Sequence, residues 1–159
     1  MNITIYCVGK IKESFYRQAV DEYAKRLGRY CRLTIVEVPD EKTPDRVPEA
    51  VERRIKEKEG ERLLSRIKEG TYLIALAIDG KRMDSVSFSR LIGDLGVRGK
   101  SDIGFVIGGS LGLSDAVLRR ADLHVSFSDM TFPHQLMRVI LLEQIYRAYR
   151  ILGNEPYHK

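Results

Sequence analysis

At 159 residues and 18.2 kDa the chain has the length of one domain able to bury a core unaided. With 43% hydrophobic and 31% charged residues it is no disordered tail, collagen-like fibre or disulfide scaffold, and its longest uncharged apolar run, 72–78, is far too short to span a bilayer. The net charge is +5, yet residues 40–69 hold nine cations and nine anions, so the whole excess lies elsewhere. Lys10, Lys12, Arg17, Lys25, Arg26, Arg29 and Arg32 face only three acids over 10–32; such a cluster neutralises phosphates or merely solubilises a helix. Two cysteines without CxxC spacing and no signal-like apolar start point to the cytoplasm.

In chain order, Met1–Val8 is β-rich and stops at Gly9. Ile11, Phe15, Ala19, Tyr23 and Leu27 recur every four residues and predict an amphipathic helix ending at Gly28. Leu33–Val38 is a second strand. Pro44 and Pro48 precede a charged helix that keeps Val47, Val51, Ile55, Leu63, Leu64 and Ile67 on one side and is weakened by Gly60. Thr71–Ile78 has the continuous apolar run of a central strand, with Asp79-Gly80 as a turn. Ser85 or Ser87 caps the next helix. Ile103–Ile107 is a strand, Ser114 caps a short helix, and Leu123–Phe127 is a fifth strand. A long helix over about 133–152 follows, with proline at its permitted first turn. This alternation predicts one domain over 1–159: an α/β fold with a mainly parallel sheet and helices on both faces. The last helix is apolar nearly all round, which one sheet face cannot satisfy, so a homodimer is expected.

Three histidines without ligand spacing make a metal site unexpected. There is no serine-hydrolase elbow, and residues 108–112 are neither a P-loop nor GxGxxG. Gly108, Gly109 and Gly112 nevertheless follow a strand end, where α/β sheets bind ligands and glycine lets the backbone approach them. The segment 126–134 mixes hydroxyls, a carboxylate and apolar residues. It reads as a purine-binding loop or, more simply, as a capping turn built on Ser128, Asp129 or Thr131. Glu143 and Arg147 form an i,i+4 pair. Tyr157, His158 and Lys159 follow the helix stop, either as a frayed end or as groups that stack on a base, move a proton and hold a phosphate.

GFVIGGSLGLS (104–114), SFSDMTFPHQLMRVILLEQIYRAYRI (126–151) and PYHK (156–159) closely resemble the RlmH family of bacterial methyltransferases, which act on a pseudouridine of 23S ribosomal RNA and belong to the SPOUT class. ITIYCVGKIKE (3–13), EVPDEK (37–42) and KEKEGERLL (56–64) extend the resemblance over essentially the whole chain. It implies a trefoil knot in the C-terminal part of the fold and S-adenosyl-L-methionine as cofactor. The cofactor would be held by Leu76, Gly108, Phe127, Ser128, Asp129, Met130, Thr131 and Phe132. It also implies a homodimer in which one subunit's tail completes the other's site. Tyr157 and His158 would position substrate or move its proton, with Glu143 as the other candidate base and loss to water the alternative. Lys10, Lys12, Arg17, Lys25, Arg26, Arg29, Arg147 and Lys159 would contact RNA. The competing readings are a non-catalytic ribosome-associated RNA-binding protein and a SPOUT enzyme with another RNA target.

Overall fold

The computed structural model describes residues 1–159. Its elements are β1 (Asn2–Val8), α1 (Ser14–Leu27), β2 (Arg32–Val38), α2 (Glu49–Arg66), β3 (Tyr72–Arg82), α3 (Ser85–Val97), β4 (Asp102–Ile107), α4 (Asp115–Arg120), β5 (Leu123–Ser126) and α5 (His134–Leu152). All strands pair in parallel, in the order β2-β1-β4-β3-β5. The expected α/β class therefore holds, but β4 is the central strand and β3 lies one place from the edge.

Strand alternation divides the core into two. Ile3, Ile5, Cys7, Ile74, Phe105 and Val125 face α1, α3 and α5, with α5 lying between the other two helices. Tyr6, Val8, Leu73, Ala75 and Val106 face α2 and α4. No helix is long and apolar enough to cross a membrane.

Local chemistry moves several expected boundaries. The inward face of α1 is Tyr16, Val20, Tyr23 and Leu27, whereas Phe15 is 60% exposed. A strict four-residue row drifts by about 40° per step and cannot stay inward. The cap of α3 is Asp84, whose carboxylate accepts from the backbone of Ser87 at 2.7 Å; Ser85 and Ser87 lie inside the helix. Gly60 is no weak point in α2. A Cβ there would sit 2.2 Å from Ser114 Oγ, so glycine is what lets α2 meet the capped start of α4.

Asp79-Gly80 does not end β3. Pairing with β5 breaks after Leu76 and resumes at Lys81, and Val125 partners both residues. A Cβ on Gly80 would lie 2.7 Å from backbone atoms of His124 and Val125, so the two strands touch there.

Arg138 of α5 is a buried cation that the apolar pattern concealed. It donates to Glu37 at 2.5 Å and to the carbonyls of Val8 and Gly9 at 3.2 and 2.7 Å, tying α5 to the carboxyl ends of β1 and β2. Burial pushes the neighbouring Cys7 thiol up to about 12, which makes it an inert core group.

Candidate active site

The carboxyl ends of β4 and β5 and the middle of β3 open into one cavity of about 750 Å³. Leu76–Ile78 form one wall, Ile107–Leu113 a second, and Val125–Ser128 with Met130–His134 a third. The glycine segment is a tight turn: Gly112 donates to the Gly109 carbonyl at 3.1 Å and has φ +91°. A Cβ on Gly108 would lie 2.6 Å from the Gly112 carbonyl carbon. Gly108 is thus required first by the loop's own closure, and only through it by a ligand. Ser114 then caps α4, as expected, by accepting from Val117 at 3.3 Å.

In the opposite loop, Ser126 donates to the Ser128 carbonyl and Met130 N–H to Ser128 Oγ, both at 3.0 Å. Phe127 stands edge-on to Phe88 at 5.8 Å. The capping alternative fails: Pro133 precedes α5, and no side chain caps the helix. Leu76, Gly108, Phe127, Ser128, Met130, Thr131 and Phe132 all line the cavity, whereas Asp129 turns away to pair with Arg82. The sequence pattern did not single out His134 and Met137, which complete the wall from the first turn of α5. Burial, then the charges of Arg138 and Lys12, hold the His134 imidazole below its ordinary range.

Glu59 lies beneath the glycine turn. Its Oε2 accepts from Glu41 N–H at 3.0 Å, while its buried Oε1 has no partner and would sit 3.0 Å from a Cβ on Gly109. Burial raises its carboxyl above the usual range.

The residues after α5 are not frayed. Arg150 donates to Glu155 at 2.6 Å and to the Pro156 carbonyl at 3.0 Å, and Tyr30 donates to Glu155 at 2.9 Å. Tyr157 packs edge-on to Tyr146 at 5.0 Å, lies 4.7 Å from the Arg147 guanidinium and donates to Glu143 at 3.2 Å. Burial, with Glu143 nearby, pushes its phenol up to about 12, so it is a donor at neutral pH. Arg147 also donates to Glu143 at 2.6 Å and to Nδ1 of His158 at 3.1 Å. Glu143, Arg147, Tyr157 and His158 therefore form one cluster, and none of them lines the cavity of its own chain.

The cations of 10–32 are only partly free. Arg17 caps the Ile11 carbonyl at 2.9 Å, Arg26 pairs with Glu22 and covers Tyr23, and Arg29 covers Tyr30. Lys10, Lys12, Lys25 and Lys159 are exposed. No three His, Cys, Asp or Glu side chains are grouped as metal ligands.

A family model described as a predicted SPOUT methyltransferase matches residues 1–158. Over the full length of both chains, the protein is 63% identical to the ribosomal RNA large subunit methyltransferase H of Clostridium novyi and 60% identical to that of Bifidobacterium adolescentis. Its fold is similar to that of a probable methylase family protein from Haemophilus influenzae, with a TM-score of 0.56 and 13% identity over 99% of this chain and 70% of that one. It is also similar to a Legionella pneumophila protein solved with bound SAM, with a TM-score of 0.50 and 13% identity over 94% of this chain and 66% of that one.

Proposed function

This chain belongs to the SPOUT methyltransferase family, and from that membership we propose that it transfers a methyl group from S-adenosylmethionine to N3 of a pseudouridine in 23S ribosomal RNA, in the cytoplasm where ribosomes are. The observation that carries the reading is the meeting of the 107–113 and 125–134 segments around one cavity at the strand ends. Its volume, about 750 Å³, suits a nucleoside-sized ligand. Leu76, Ile78, Phe132 and Met137 offer apolar surface for a purine, and the backbone of 127–131 offers polar groups for its edge.

When bound, the cofactor supplies a methyl group on an electrophilic sulfonium. The protein's tasks are then to align the acceptor ring and to remove the N3 proton. His158 and Glu143 are the candidate bases. Arg147 holds both, so a substrate phosphate or base that competes for Arg147 would free them. Tyr157 keeps its proton and acts as a stacking and donor group.

The distance in function between tail and cavity is bridged by a second copy. The tail cluster does not line its own cavity, and α5 carries Leu136 and Ile140 packed against neither core. Both facts support a homodimer in which each tail completes its partner's site. The test is methylation of ribosomal RNA, read by mass spectrometry, with a chain lacking Tyr157–Lys159. That chain should fold and bind S-adenosylmethionine in calorimetry while losing methyl transfer. Mixed with a Gly108→Val chain, whose cavity wall is broken, it should regain activity. Full activity of the truncated homodimer would remove the tail from the reaction, and a mixture that stays inactive would place each tail on its own cavity.

A further inference from the structure

A second cavity, of about 370 Å³, lies between β3, the start of β5 and α3. Half-buried Tyr72, Leu91 and Leu123 pack on the core and form its floor. Exposed Lys81, Arg82 and Arg90 stand around it; Asp94 is in the lining, and Asp84 is close enough to feel the charge of Arg90. The continuation of β3 past its break with β5 is what brings Lys81 and Arg82 here. Arg82 is paired with Asp129, but neither Lys81 nor Arg90 has an ion-pair partner. Ser128 and Met130 line the first cavity while Asp129 between them pairs with Arg82 of the second, so one ion pair links the two.

Cations that only solubilise a surface spread over convex ground. Lys81 and Arg90, which have no ion-pair partner, instead line a concavity, with Asp94 in the lining and Asp84 acting on Arg90, while Arg82 is already paired with Asp129; two unpaired cations lining one hollow suit an anion. We propose that this cavity binds a phosphodiester of the substrate RNA backbone, with Lys81 and Arg90 as the contacting cations and Asp129 holding Arg82 in place. The proposal rests on the RNA methyltransferase reading and adds to it a positioning contact beside the methyl-donor cavity. Phosphate contacts of this kind set register without reading sequence.

The test compares a Lys81→Gln/Arg90→Gln chain with wild type and with an Arg53→Gln/Arg54→Gln control, which removes two charges from exposed positions of α2. S-adenosylmethionine affinity and kcat at saturating substrate should stay within about twofold, while KM for the ribosomal substrate rises roughly tenfold. The dependence of log K for RNA on log salt should become shallower by about 0.7–0.9 for each phosphate that the variant no longer neutralises. The control should change neither KM nor slope. An unaltered KM and slope, or an equal change in the control, overturns the site. So does loss of inorganic phosphate binding with an unchanged RNA slope, which would mark a free-anion site. A wild type that methylates no ribosomal RNA counts against the proposed reaction, and the salt slopes still decide this site.

Discussion

Glu59 shows how one carboxylate can be costly and still placed to purpose. It is buried with one oxygen unpartnered, and its other oxygen holds the backbone of Glu41. Because burial raises its folded value, the folded chain keeps this proton over a window in which the unfolded chain has lost it. Stability therefore falls as pH rises through that window, and the penalty is complete above it. In denaturant titrations, wild type should gain stability relative to Glu59→Gln as the pH is lowered from neutral towards the carboxylate range, about 4–5. A stability difference independent of pH would mean that the group carries no such shift. At this scale the sequence was least legible. A buried Glu59 in a run of charges and a buried Arg138 in a run of leucines and isoleucines look alike on paper. The clue for Arg138 was that a helix apolar on most sides leaves a cation no exposed face, and so requires a partner.

Between elements, the Gly60–Ser114 contact reverses what helix propensity alone expects. Replacing a mid-helix glycine by alanine should favour α2 by about 1 kcal/mol. Here the new methyl would meet Ser114 Oγ at 2.2 Å, and overpacking of that kind costs about 1–3 kcal/mol. Gly60→Ala should be net destabilising in urea unfolding, and Ser114→Gly, which keeps a tolerated cap residue, should recover much of the loss in the double variant. Strict additivity would show that the contact is not the cause. Element identity was readable because each strand and helix carries its own period. What the period could not carry was contact between strands: Asp79-Gly80 has the chemistry of a turn, yet glycine stands there because β3 runs against β5. The loops at 108–112 and 126–134 were legible for the opposite reason, since a strand end, a glycine run and a helix start are all local signals.

For the molecule as a whole, neighbouring residues of α5 provide a test that separates stability from the proposed dimer. Leu141 is fully buried among the sheet residues, whereas Ile140 packs against neither core. Leu141→Asp should fail to fold, since it buries an unpaired carboxylate at a cost of several kcal/mol. Ile140→Asp should fold and sediment as a monomer at concentrations where wild type is dimeric. A wild type that is monomeric at micromolar concentration would refute the two-chain site. The location of the tail was not legible from sequence, because it depends on which side of α5 remains after α1 and α3 have packed. The order of the elements also has a consequence for how the protein is made. α5 closes the face of the sheet bearing Ile3, Ile5, Ile74 and Phe105, yet it leaves the ribosome after all five strands. Until then the strip of that face between α1 and α3 stays uncovered, and a chain stalled before residue 134 is a substrate for chaperones and proteases rather than a smaller version of the enzyme.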